Sequence, residues 1–136
     1  MRTLAGCAAF LLVIAAPVVH ADVLIVIDKS TQQARVISDG ALVHVFKTST
    51  GKYGNGTPNG SFGVERMHRH WYSRKYDDAP MPHAIFFYEG YAIHGTTETS
   101  RLGRPASHGC VRLHPKDAAA LFALVREQGR ANTSVV

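Results

Sequence analysis

Two tight-turn pairs, each set between β-branched or aromatic runs, constrain this chain more than any other feature. "QARVIS" and "ALVHVFK" flank Asp39-Gly40, a pair favoured in two-residue hairpin turns because both positions must take positive φ. "AIFFY" and "YAIH" flank Glu89-Gly90 in the same way, and "DVLIVID" (22–28) precedes the first pair. "SFGVERM" (61–67) reads as one further strand. Short extended runs joined by tight turns must pair as sheets, so the expected content is mainly β. "GKYGNGTPNG" (51–60) is a loop by its glycines, asparagines and proline.

One segment breaks the pattern. "HPKDAAALFALVREQG" predicts a helix with Pro115 at its first position, Asp117 in the first turn and Gly129 as the stop. Ala118, Leu121, Phe122 and Val125 recur at helical spacing and form one apolar stripe to lay on the sheet. Between the β runs, "HRHWYSRKYDDAPMPH" (68–83) has no period and is polar and aromatic. Loops of this length often cover active sites. Trp71, Tyr72 and Tyr76 within it are either core residues or the lining of a lid; we favour the lid.

With 136 residues and 46% apolar composition, the chain suffices for one core and not two. Residues 1–21 are set apart from it. Arg2, an apolar run from Leu4 to Val19, and the small-residue exit Val19-His20-Ala21 have the order of a secretory signal cleaved after Ala21. The run is short for a permanent membrane anchor. "LAGC" at 4–7 looks like a lipoprotein box, but the apolar segment follows it rather than preceding it, so lipidation is not expected. Residues 22–136 then form the exported domain, located in the periplasm or cell wall and expected to be a monomer with no stable anchor. Its mild basic excess suits an anionic polymer, but no Lys/Arg stripe is interleaved with aromatics, so nucleic acid is not expected as a partner.

Of the two cysteines, Cys7 leaves with the signal. Cys110 is then a lone thiol in an oxidising compartment, where cysteines are usually paired or absent. It can form no intramolecular disulfide. It is either a buried structural residue or a nucleophile, and a nucleophile needs a base or a positive field that favours its thiolate. A depressed thiol pKa is therefore expected. His108 is close in the chain, but His94, at the end of the strand "GYAIHG", would be held in a fixed orientation by the sheet. The carbonyl of Gly95 can fix its tautomer. Gly109 lets the turn bring the 109 and 110 amides to a developing oxyanion, and Arg112 can hold a carboxylate bidentately. Other histidines attract simpler readings. His68, His70 and His83 are read as loop and surface residues, His44 as a solvent-facing strand residue, and His114 as a cap of the helix. No cysteine or acidic residue joins them at zinc spacing, so no metal site is expected. The glycine-rich loop lacks a following Lys-Ser/Thr, so it is no phosphate cradle.

"IHGT" at 93–96 followed by "SHGCVRLH" at 107–114 resembles the L,D-transpeptidase catalytic domain, the family that cross-links bacterial peptidoglycan. "VLIVIDKSTQQARVISDGALVHVFKTSTGKYGNGTPNGSFGV" is similar to that domain's opening and "APMPHAIFFYEGYAIHGT" to its middle, so the likeness runs over roughly residues 22–128. It implies a β-sandwich with one or more short packed helices. It also implies Cys110 as nucleophile, His94 as proton acceptor and donor, and Gly95 as its orienting carbonyl. Ser107, His108 and Gly109 would build the pocket and oxyanion site. On the reading of the residues themselves, Arg112 and Tyr76 of the 68–83 segment complete substrate binding. Larger members tend to have Asn where this chain has Arg112. The implied donor is a tetrapeptide stem cut between diaminopimelate and D-alanine. The implied acceptor is the side-chain amine of a second stem, and no cofactor is needed. With the same site, water as acceptor would make a carboxypeptidase, and a protein lysine would make an anchoring enzyme. A non-catalytic wall-binding or metal-binding protein is the rival of another class.

Overall fold

The computed structural model describes residues 22–136 together with Gly6, Ala8, Ala9, Leu11 and Leu12. The expected leader, residues 1–21, therefore lies for the most part outside the described residues. In chain order the strands are β1 (Val23–Asp28), β2 (Gln33–Ser38), β3 (Ala41–Ser49), β4 (Phe62–Gly63), β5 (Arg66–His68), β6 (Tyr72–Ser73), β7 (Ala79–Pro80), β8 (Ala84–Tyr88), β9 (Tyr91–Gly95) and β10 (Val111–Leu113). The helix α1 (Pro115–Gln128) and the strand β11 (Thr133–Val135) follow.

The two turn-flanked pairs form as the sequence predicts. β2 and β3 are antiparallel across Asp39 (φ 52°) and Gly40 (φ 77°), the paired left-handed residues that match the twist of a hairpin. β8 and β9 pair across Glu89-Gly90. α1 runs over the predicted residues, with the His114 side chain accepting from the Lys116 amide at 3.2 Å and Gly129 closing it at φ 99°. Its stripe of Ala118, Leu121, Phe122 and Val125 is buried. Leu121 has no exposure, so its truncation to alanine costs roughly 2–5 kcal/mol.

The strands join in the order β4-β11-β1-β2-β3-β10-β9-β8-β5. β3 belongs to both halves: residues 41–47 pair with β2, whereas Thr48 and Ser49 pair with β10. "SFGVERM" is not one strand, contrary to expectation. Phe62 and Gly63 pair with β11, while Arg66–His68 pair with β8 at the opposite end of the order. Val64 and Glu65 carry the chain between them, and the Glu65 amide donates to the Phe86 carbonyl at 2.8 Å. A sheet whose two ends meet in this way curls into layers around one core, here Val23, Ile25, Val36, Phe46, Ile93 and Leu113 with the stripe of α1.

Alternation along the strands of the second half decides what faces outward. Ile85, Ile93, Val111 and Leu113 point into the core, while Phe86 and Ala92 join Met81, Ala84, Trp71 and Cys110 in a separate outer cluster. A small antiparallel arm, β6 and β7, stands over that outer face. A 3-10 turn at Arg74–Tyr76 and two left-handed residues, Asp77 and Asp78, form its tip. Three histidine readings change: His44 is half-buried and stacked on Phe46, His68 is half-buried and stacked on Trp71, and His83 is half-buried and edge-on to Phe122.

Candidate active site

β9 and β10 run parallel, with Arg112 opposite His94 and Val111 opposite Ile93. Since Val111 and Leu113 face the core, Arg112 and its neighbour two residues back, Cys110, emerge with His94 on the outer face. They open into a cavity of about 490 Å³ whose wall also includes Ser107, His108 and the arm residue Tyr76. Sixteen positions in the chain separate His94 from Cys110, and the parallel pairing brings them to one surface.

His94 is buried, and its Nδ1 lies 2.7 Å from the Gly95 carbonyl oxygen. A carbonyl can only accept, so Nδ1 carries the proton and Nε2 is the basic nitrogen of the neutral ring. Burial holds the His94 pKa down at about 4; the Gly95 hydrogen bond opposes this and the Arg112 charge adds to it. Gly95 is tightly enclosed: a Cβ would lie 3.1 Å from Pro82 Cγ and 3.3 Å from Pro115 Cα, so those neighbours would have to give way slightly. The Cys110 thiol departs from the expected depression. Burial pushes its pKa up, against smaller lowering effects of the Ala92 amide and the Arg112 charge. A neutral thiol and a neutral imidazole therefore line one cavity.

Gly109 precedes the thiol at φ +123°, and a Cβ there would meet Tyr91 Cε1 at 2.4 Å. Both conditions demand glycine. Its amide donates to Ser107 Oγ at 3.0 Å, and its carbonyl accepts from Thr57 Oγ1 at 2.7 Å. Ser107 Oγ in turn donates to the Cys110 carbonyl at 2.5 Å. Ser107 is fully buried and so braces the turn around the thiol. His108 is exposed; Tyr76 stacks on its ring at 4.3 Å with an interplanar angle of 11°. Arg112 Nη1 lies 3.2 Å from Glu98 Oε2, and Arg101 reaches the same oxygen at 3.7 Å. Of the three arm aromatics, Trp71 and Tyr76 line the cavity, whereas Tyr72 is exposed and does not.

The L,D-transpeptidase catalytic domain profile, YkuD, matches residues 22–136. The chain belongs to that family. YqjB of Bacillus subtilis (strain 168), assigned as an L,D-transpeptidase, is 29% identical over 114 residues, covering 74% of this chain and 65% of its own length. An L,D-transpeptidase from Stackebrandtia nassauensis superposes with a TM-score of 0.71 at 27% identity, over 84% of this chain and 54% of that one. One from Xylanimonas cellulosilytica gives 0.69 at 28% identity, over 88% and 62%. This L,D-transpeptidase domain thus spans less than two thirds of the relatives it matches.

Several groups at the site of this L,D-transpeptidase domain carry no motif. Gln32 is buried and grips Thr50 twice, its Nε2 donating to Thr50 Oγ1 and its Oε1 accepting from the Thr50 amide. The Thr50 carbonyl accepts from the Ala106 and Ser107 amides. Glu98 and Arg66 line the cavity; only their charge, in segments next to motif residues, could have drawn attention to them. Among the described residues no three His, Cys, Asp or Glu side chains converge as a metal-binding group. No helix among them is long and apolar enough to cross a membrane.

Proposed function

We propose that this domain is a peptidoglycan L,D-transpeptidase that forms 3-3 cross-links through a thioester on Cys110. The observation that carries the reading is the His94 tautomer, pinned by Gly95 in a cavity shared with Cys110. The donor is a tetrapeptide stem. As the Cys110 sulfur attacks the carbonyl between diaminopimelate and D-alanine, His94 Nε2 takes the thiol proton. The carbon–nitrogen bond breaks, His94 returns the proton to the departing D-alanine amine, and the acyl group remains as a thioester. The side-chain amine of a second stem then attacks, loses its proton to His94, and restores the thiol as the cross-link closes. General-base help of this kind contributes roughly 10²–10⁴-fold.

A raised thiol pKa suits this order of events, because the thiolate forms only as attack proceeds. The energy of the cut peptide bond is conserved in the thioester, so no ATP is consumed. With the Gly109 amide engaged by Ser107, the Cys110 amide is the candidate donor to the oxyanion. Arg112 gives one nitrogen to Glu98 and keeps others for the D-alanine carboxylate. Tyr76 and His108 close over the bound stem. With residues 1–21 as leader, the domain works as a monomer in the periplasm or cell wall.

Incubation with disaccharide tetrapeptides, followed by mass analysis, tests the reading. A dimer lacking one D-alanine supports transfer, a tripeptide alone means hydrolysis, and neither product from folded protein removes the assignment.

A further inference from the structure

The cavity wall carries the charged side chains Arg66, Arg74, Lys75, Glu89, Glu98 and Arg112. Glu98 is engaged by Arg112, and Arg74 and Lys75 sit on the exposed tip of the arm. Arg66 is different. It is half-buried, with its guanidinium carbon 3.7 Å from the Phe86 ring centroid and 4.8 Å from that of Trp71. It takes no part in the ion pairs found among the described residues. Its polar side-chain contact is Nη1 to His68 Nε2 at 3.5 Å, the limit of hydrogen-bond distance. A guanidinium stacked on aromatic faces has its plane fixed and its N–H edge left for a planar anion.

Strand register places this group relative to the thiol. Arg66 is opposite Phe86, and Phe86 is opposite Ala92. Val111 is opposite Ile93, so Cys110 comes beside Ala92. Arg66, Phe86, Ala92 and Cys110 thus form one row across the outer face. Three strand spacings separate its ends, roughly 14 Å between backbones. The guanidinium already reaches over Phe86, which leaves roughly 10 Å to Cys110 by the same spacing.

We infer that Arg66 is a carboxylate receptor for the far end of the donor's third residue, the D-centre carboxylate of diaminopimelate. This rests on the stem-peptide reading above. The D-alanine carboxylate is next to the bond that Cys110 attacks, within range of Arg112 and too close to the thiol to meet Arg66. An extended diaminopimelate side chain, roughly 7 Å from its bond lengths, covers most of the gap. Lysine at that position, or diaminopimelate amidated at that end, brings no anion to Arg66.

The test compares tetrapeptide donors whose diaminopimelate is free or amidated at the D-centre. It uses the wild-type protein, Arg66→Gln and Arg66→Lys, with thermal melts to establish that each variant folds. Wild-type kcat/KM should favour the free carboxylate by about tenfold or more, the size of one charge-assisted hydrogen bond. Arg66→Gln should bring that ratio close to one, and Arg66→Lys should restore part of it. Calorimetric binding of the same peptides to Cys110→Ala, with and without Arg66→Gln, reads the subsite independently of turnover. Preferential binding that needs Arg66, with no turnover of either donor, keeps the subsite and removes the transpeptidase reading. Equal use and equal binding of both donors, or equal losses on both with Arg66→Gln, overturns the subsite and leaves the reaction standing.

Discussion

His94 Nδ1 lies 2.7 Å from the carbonyl oxygen of Gly95, its own chain neighbour. This single contact orients the ring without any acidic side chain and leaves Nε2 as its unprotonated nitrogen. The burial of the same ring has a measurable consequence for stability.

The His94 pKa falls from its ordinary 6.5 to about 4 in the fold, chiefly through burial. Above pH 6.5 the ring is neutral both folded and unfolded, and stability is fully present. As pH falls from 6.5 toward 4 the unfolded chain takes the proton and the fold does not. The loss approaches about 3 kcal/mol. His94→Gln should flatten the stability–pH curve across that window in chemical denaturation. His83 and His108 are also lowered, by desolvation first, so some slope should persist. An unchanged slope in the variant would show that His94 is not the buried neutral ring described.

Burial raises the Cys110 thiol while Arg112 opposes that rise. Alkylation of Cys110 by iodoacetamide should therefore be slow at neutral pH, with its inflection above the ordinary thiol range. Arg112→Ala should move the inflection higher still. An inflection well below the ordinary range would instead indicate a resting thiolate–imidazolium pair.

Gly109→Ala must accept both a positive φ and a Cβ 2.4 Å from Tyr91 Cε1. The conformational strain alone costs on the order of 1–3 kcal/mol, and the clash adds to it. The melting temperature should fall by several degrees and turnover should drop with it. Tyr91 packs against the core, so Tyr91→Ala is destabilising by itself, and the clash shows as a smaller cost of Gly109→Ala in the Tyr91→Ala background than in the wild type. An equal cost in both backgrounds would count against the clash.

Tyr76 joins the arm to the site through its stack on His108. Such a stack is worth roughly 0.5–1.5 kcal/mol. Tyr76→Ala should raise KM for the donor about 2–10-fold with little change in melting temperature, since Tyr76 is exposed and outside the core. A large fall in stability with unchanged KM would make it a structural residue.

Local patterns were readable in the sequence where neighbours in the chain decide the outcome. α1 has its proline, its glycine stop and its apolar stripe within one segment. The Asp39-Gly40 hairpin follows from the conformations its turn requires. The pairing of β11 with β1 joins Val23 to Thr133, and no local signal marks it. Val64 and Glu65 split an apparently continuous strand because tertiary pairing sends its halves to opposite ends of the sheet. At the site, His94, Gly95 and Cys110 were identifiable from residue type and spacing. Gln32, Thr50 and Arg66 were not, because a buried amide, a threonine and a stacked arginine acquire meaning only through distant partners. The thiol's raised pKa was hidden for the same reason, since desolvation depends on packing against the cluster of Met81, Ala84, Phe86 and Ala92.

The central claim is that Cys110 carries the acyl group and His94 moves the proton. Intact-protein mass spectrometry after mixing with a tetrapeptide donor, without acceptor, tests it most directly. The account predicts an adduct equal to the donor minus D-alanine, located on Cys110, forming at least a hundredfold more slowly in His94→Gln and absent from Cys110→Ala. Cross-linked product from folded Cys110→Ala, or an acyl group on any other residue, would contradict it.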